Sequence, residues 1–220
     1  MNIGVVGAGR IGGNLARQAV RRRHAVALSF SREPSSLIEL ATELGNRASA
    51  GTPREAVEFG GLVVLSVPWD VIPHALELAS DLSGKVVVDT TNQYGSGPMP
   101  AHGETAAGYN ARRMQGARYV KSFNTLTSSF QAQAADRVGE ERVVQWICGN
   151  DPGSKQLVAR LIDEMGYVPV DLGGTDTCDV MEAPRRIGAV YGEEYRAADA
   201  QAVVVAVRAG VAIPPTPQYG

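Results

Sequence analysis

A glycine turn near the start of the chain constrains the fold more than any other feature. Gly7-Ala8-Gly9-Arg10-Ile11-Gly12 fits the pattern G-x-G-x-x-G. It follows Asn2-Ile3-Gly4-Val5-Val6, an apolar run too short for a helix and suited to a buried strand. A helical pattern opens at once, with Ile11, Leu15, Ala19 and Val20 near helical spacing. Arg21-Arg22-Arg23 then place positive charge at the helix C-terminus, where the dipole favours it. Residues 24–30, His-Ala-Val-Ala-Leu-Ser-Phe, read as a second strand. Glycines alone merely punctuate turns. Between a strand and a helix of one βαβ unit they predict a dinucleotide site.

Each glycine has a physical task there. Gly7 permits the tight turn, Gly9 lets a pyrophosphate approach the backbone, and Gly12 lets the helix pack closely on the strand. The phosphates would meet free N–H groups at the positive end of the helix. The end of the second strand selects the dinucleotide. An NAD site carries Asp or Glu there for the ribose hydroxyls. This chain has Ser29-Phe30-Ser31-Arg32, and a hydroxyl with a guanidinium suits a 2′-phosphate. NADP(H) is the expected cofactor. Glu33 supplies the rival reading, in which it faces the ribose and Arg32 is a solvated loop charge.

The remaining elements alternate. Helices are expected over 34–44, 53–59, 70–81, 104–115, 128–138 and 152–165, and strands over 48–50, 62–67, 86–89, 118–123, 143–148 and 167–171. Thr52, Pro53 and Glu55 make a capping-box helix start. Pro169 marks a sheet edge. Residues 93–103 form the longest loop, of a kind often used for binding. Two further helices are expected over 175–189 and 193–209, before a proline-rich tail. The fold class is α/β, a Rossmann-type doubly wound parallel sheet with a small C-terminal helical extension. The expected division is a dinucleotide-binding domain over 1–173 and a helical segment with its tail over 174–220.

Other classes fit less well. A net charge of −2 over 220 residues recommends neither nucleic acid nor an anionic membrane. No apolar run approaches the roughly 18 residues of a bilayer span. The N-terminus has no charged region ahead of its apolar stretch, so no signal peptide is expected and a cytoplasmic location is. Cys148 reads as a buried thiol. Cys178, near Asp176 and Asp179, lacks partners at ligand spacing, so no metal is expected. Lys121, Tyr94, His102 and Tyr109 are the available proton donors, although packing or solvation explains each as well. Asn124 and Thr125 can equally be helix caps, and His24 and His74 read as surface residues. The apolar run 202–207 predicts a homodimer through the C-terminal helices.

Val120-Lys121-Ser122-Phe123-Asn124-Thr125 is similar to the V-K-A-F-N-T stretch of the NADP oxidoreductases dependent on coenzyme F420. That family also resembles the oxidoreductase domains of the STEAP metalloreductases. The glycine turn, Ser31-Arg32, Gly149-Asn150-Asp151 and residues 166–173 match in the same order. The resemblance implies hydride transfer between nicotinamide C4 and a stacked deazaflavin ring. It implies that Ala8, Gly9, Arg10 and Ile11 line the pyrophosphate and that Ser31 and Arg32 hold the 2′-phosphate. It further implies that Ser66, Val67 and Pro68 pass under the nicotinamide ribose. Asn92 and Asn124 would lie near the rings, with Asn124 in the catalytic role of positioning them. In F420-using members the position aligned with Asn124 is often histidine, whereas the Asn form occurs in relatives with other acceptors. The expected partner is a small redox acceptor, coenzyme F420 or a flavin. The alternatives are an NADPH reductase of a carbonyl, imine or free flavin, and a non-catalytic NADP(H) sensor.

Overall fold

The computed structural model describes residues 1–31 and 33–219. Their elements follow in the order β1 (Asn2–Val6), α1 (Arg10–Arg21), β2 (Ala25–Ser29), α2 (Pro34–Leu44), β3 (Ala48–Ala50), α3 (Pro53–Phe59) and β4 (Leu62–Leu65). After a 3-10 turn at Trp69–Val71 come α4 (Ile72–Ala79), β5 (Val86–Asp89), α5 (Ala106–Arg113), β6 (Arg118–Lys121), α6 (Ser128–Ala134) and β7 (Val144–Gly149). The chain continues through α7 (Pro152–Glu164), β8 (Val168–Gly173), a 3-10 segment at Thr175–Met181 and α8 (Ala197–Ala209). The strands form one sheet in the order β3-β2-β1-β4-β5-β6-β7-β8. Every neighbouring pair is parallel except β6–β7. The order reverses between β1 and β4, which makes the ends of these two strands the switch point of the sheet.

The strands β4, β5 and β7 are buried along their whole length. They carry continuous apolar runs rather than alternation because helices cover both faces. On one face Ile3, Val5, Val64 and Val88 pack against Leu15 of α1 and Leu161 of α7. On the other, Val63, Leu65 and Val87 meet Ile72 of α4, Ala106 of α5, and Cys178, Tyr195 and Val203 of the C-terminal segment. Residues beyond 173 therefore share a core with the nucleotide-binding half. The capping box at Thr52 and Glu55 is present, and β8 with Pro169 is the sheet edge. Among the described residues no helix is long and apolar enough to cross a membrane.

Two expectations change. The helix over 175–189 is a 3-10 segment ending at Met181. Glu182 turns away to accept from the N–H groups of Ala106 and Ala107, both at 2.8 Å, and Pro184 has no N–H to continue a helix. His24 is buried rather than on the surface. Its ring lies 3.0 Å from the Met1 amine and 2.9 Å from the Glu164 carboxylate. In the apolar run 202–207, Val203, Val204 and Ala206 are buried, Val207 is half-buried, and Ala202 and Val205 are exposed.

Asp89, at the end of β5, is fully buried. It accepts from the Tyr119 hydroxyl at 2.6 Å, the Asn110 amide at 2.9 Å and the Thr91 N–H at 2.7 Å. The Lys121 ammonium, also fully buried, lies 3.4 Å away and donates to the Thr91 carbonyl. Burial works to raise the Asp89 pKa. The Lys121 charge and the three hydrogen bonds outweigh it and hold the carboxyl below its ordinary range. Lys121 thus belongs to a buried ion pair. Lys121→Met should cost about 3–5 kcal/mol in urea unfolding, because it leaves an uncompensated buried carboxylate. A cost under about 1 kcal/mol, the range of an exposed pair, would contradict this. A lowered folded pKa adds stability above the unfolded value of about 4 that is lost as pH falls through the folded one. The variant should lose that acid-side slope.

Candidate functional site: a dinucleotide groove

Backbone hydrogen bonds set the strand ends in a row. The Gly7 N–H donates to the Ser29 carbonyl at 2.9 Å, Ser66 to Val6 at 2.8 Å, Thr90 to Leu65 at 3.0 Å and Ser122 to Asp89 at 3.2 Å. At the switch point the glycine turn after β1 lies against Ser66-Val67-Pro68 after β4. Gly7 has φ +103°, and a Cβ there would sit 2.3 Å from the Ser66 carbonyl oxygen. A Cβ on Gly12 would sit 2.0 Å from the Gly7 carbonyl oxygen. These two glycines serve the fold. Gly9 differs, since a Cβ there would meet nothing within 4 Å.

That open space lies at the start of α1, which has no side-chain cap and no acid in its first turn. No hydrogen bond among the described residues takes up the N–H of Gly9, Arg10, Ile11 or Gly12. Four donors at the positive end of a 12-residue helix therefore face a gap beside Gly9. This arrangement suits a pyrophosphate, which brings acceptor oxygens and negative charge. Arg10 is exposed beside the gap, while Ala8 and Ile11 are half-buried and packed on the core.

Just past the end of β2 stands Ser31. Its Oγ accepts from the Glu33 N–H at 3.2 Å and lies 2.8 Å from the Ser36 Oγ. The Ser36 hydroxyl donates to the Glu33 carbonyl at 2.7 Å, so Ser31 is the donor to Ser36. Two hydroxyls thus stand together at the start of α2. The amino-acid order points to Ser31 but not to Ser36, whose place in the first turn of α2 was the available signal. Arg32 lies outside the described residues. Glu33 is exposed and makes no side-chain cap to α2.

After β4, Ser66 is half-buried, Val67 buried and Pro68 exposed. Asn92 and Asn124 bridge the loops after β5 and β6. The Asn92 amide donates to the Asn124 carbonyl, and the Asn124 amide to Asn92 Oδ1, both at 3.0 Å. The Asn124 amide also donates to the Met181 carbonyl at 2.6 Å, tying in the C-terminal segment. Asn124 is 4 % exposed, and its Oδ1 has no partner among the described residues. Its geometry is that of a residue that positions three loops. Phe30 and Phe123, which follow β2 and β6, both have φ 58°, a left-handed backbone that costs energy in a non-glycine residue. Among the expected proton donors, Tyr109 stacks on Trp69 with ring centroids 5.9 Å apart, His102 is exposed, and Tyr94 is half-exposed. Beyond Asn92 opens a cleft of about 470 Å³, lined in part by Gln93, Thr105, Asp179, Ala183 and Arg186.

A sequence model of the family described as NADP oxidoreductase, coenzyme F420-dependent, matches residues 2–93, which hold the glycine turn and the loops at 31, 66–68 and 92. Over residues 2–93 the chain is thus similar to a family of NADP-dependent oxidoreductases. The chain is 28 % identical over 181 residues to metalloreductase STEAP3 of Rattus norvegicus, across 82 % of this chain and 36 % of that protein. It spans about a third of the length of the curated relatives it matches. In three dimensions it is similar to a hypothetical protein of Sinorhizobium meliloti. The TM-score is 0.78 at 27 % identity, over 89 % of this chain and 95 % of the other. A structure from Arthrobacter sp. FB24, assigned as an F420-dependent NADP reductase, shares the fold. Its TM-score is 0.69 at 24 % identity, over 81 % and 87 % of the two chains.

The glycines of this family turn can be told apart by substitution. Gly9→Ala should fold as the wild type and bind NADPH at least about tenfold more weakly, a loss of about 1.4 kcal/mol, because its methyl fills the gap. Gly12→Ala should lower the melting temperature, because backbone must shift. Isothermal titration with thermal unfolding checks both, and wild-type affinity in Gly9→Ala would remove the phosphates from that gap.

Proposed function

We propose that this chain is an NADP(H)-dependent oxidoreductase that passes a hydride between NADPH and a planar, flavin-like acceptor, with coenzyme F420 the leading candidate. The observation that carries the reading is the uncapped start of α1, whose four uncommitted N–H groups face the gap at Gly9. The family match over residues 2–93 supports the same cofactor. NADPH, when bound, supplies the hydride at nicotinamide C4. Gly9, Arg10, Ile11 and Gly12 hold the pyrophosphate through backbone N–H groups. Ser31, Ser36 and Arg32 receive the 2′-phosphate. Ser66-Val67-Pro68 forms the floor under the nicotinamide ribose. Asn124 keeps the Asn92 loop and the Met181 segment in register. Transfer between stacked rings asks for distance, orientation and exclusion of water more than for an acid or base.

Asn124 itself favours a second reading, since F420-using members often carry histidine at that position. An NADPH reductase of free flavin, a carbonyl or an imine uses the same groove. Following NADPH absorbance with oxidised F420, then FMN, then a cyclic imine separates these acceptors, and rapid oxidation with F420 is the expected result. Tight NADPH binding without oxidation by any of them would support a sensor instead.

The 2′-phosphate offers a second test. Arg32 can meet it with charge-assisted hydrogen bonds worth roughly 1.5–3 kcal/mol each. Arg32→Ala should therefore weaken NADPH about tenfold or more and leave NADH nearly unchanged, and the NADPH preference should shrink as salt rises. Wild-type preference for NADH would instead put Glu33 against the ribose.

A further inference from the structure

Tyr94 and Tyr191 are 97 residues apart in sequence, yet their hydroxyl oxygens lie 3.0 Å apart. Their ring centroids are 6.3 Å apart, tilted by 58°. Both sit on backbone tied to the loops that carry Asn92 and Asn124. The Tyr94 N–H donates to the Asn92 carbonyl at 2.8 Å. Beside Tyr191, the Gly192 N–H donates to the Thr125 carbonyl at 2.8 Å, next to Asn124. The pair thus spans the loops after β5 and β6. Tyr94 is 52 % exposed, so the pair is open to a ligand rather than sealed in the core.

The direction of the bond matters. Tyr94 donates to Tyr191, and among the described residues the Tyr191 hydroxyl hydrogen has no acceptor. Burial pushes the Tyr191 phenol well above its ordinary range, so it keeps that hydrogen at neutral pH. Hydride reduction of a conjugated ring leaves an electron pair that needs a proton, and elsewhere in the groove Lys121 is committed to Asp89.

Building on the oxidoreductase reading, we propose that Tyr191, backed by Tyr94, is the hydrogen-bond donor and proton source for a planar acceptor with a conjugated C=N or C=O group. As the hydride from NADPH forms its bond at the electrophilic ring atom, the displaced π pair settles on the ring nitrogen or carbonyl oxygen. That atom takes the Tyr191 proton. Tyr191 is refilled from Tyr94, and Tyr94 from solvent. The sum is NADPH, acceptor and one proton giving NADP+ and the two-electron-reduced acceptor. A merely structural pair would tie the loop at 191 to the loop at 94 and leave acceptor binding alone.

Tyr191→Phe and Tyr94→Phe keep both rings and remove one hydroxyl each. FMN is the probe, and its binding to the NADP+-loaded protein is read by quenching of flavin fluorescence. Tyr191→Phe should weaken FMN about tenfold, and Tyr94→Phe should weaken it less, with NADPH affinity and melting temperature unchanged in both. Wild-type NADPH oxidation by FMN should show a solvent deuterium isotope effect that Tyr191→Phe abolishes. Equal FMN affinity in wild type and Tyr191→Phe, or no quenching by the wild-type complex, overturns the inference. Failure of the wild type to bind NADPH overturns the oxidoreductase reading instead.

Discussion

Everything at the groove depends on backbone lying against backbone where α1 crosses the end of β1. A side chain on Gly12 would run into the Gly7 carbonyl, and one on Gly7 into Ser66. The same closeness recurs below, where a Cβ on Gly4 would sit 2.1 Å from the Ala56 carbonyl oxygen. These contacts place the first turn of α1 at the switch point of the sheet. The helix dipole and four free N–H groups follow from that position without any charged side chain having to be buried.

The loops after β5 and β6 are organised differently, by polar groups that pair across long stretches of sequence. Asp89 gathers Tyr119, Asn110, Thr91 and Lys121 beneath the loop after β5. Glu182 caps α5 with both carboxylate oxygens. Asn124 joins Asn92 to Met181. Through Glu182 and Met181 the C-terminal segment is fastened to the loops that flank the groove. It bears on the site through those bonds as well as through the core it shares with the sheet. Losing one member of such a buried network leaves its partners unsatisfied.

Elements set by local pattern were legible in the amino-acid order. The βαβ start, the capping box at Thr52 and Glu55 and the edge position of Pro169 all rest on neighbours within a few residues. Partnerships across distance were not legible. Lys121 read as an available proton donor because nothing near it in sequence announces Asp89. Asn124 read as a ring neighbour or a cap, and its tie to Met181 spans 57 residues. The helix expected over 175–189 had the composition for one. Glu182 is held by the start of α5 instead, and Pro184 then blocks continuation. Ser36 went unnoticed because its partner Ser31 belongs to a different element.

The central claim is that the uncommitted N–H groups from Gly9 to Gly12 receive the cofactor's pyrophosphate. Amide NMR of the wild-type protein titrated with NADPH addresses those groups one by one. The amides of Gly9, Arg10, Ile11 and Gly12 should show the largest shifts in the chain and become protected from solvent exchange on saturation. Shifts centred elsewhere, for instance at the start of α7 around Gly153 and Lys155, with the glycine turn unmoved, would contradict the account.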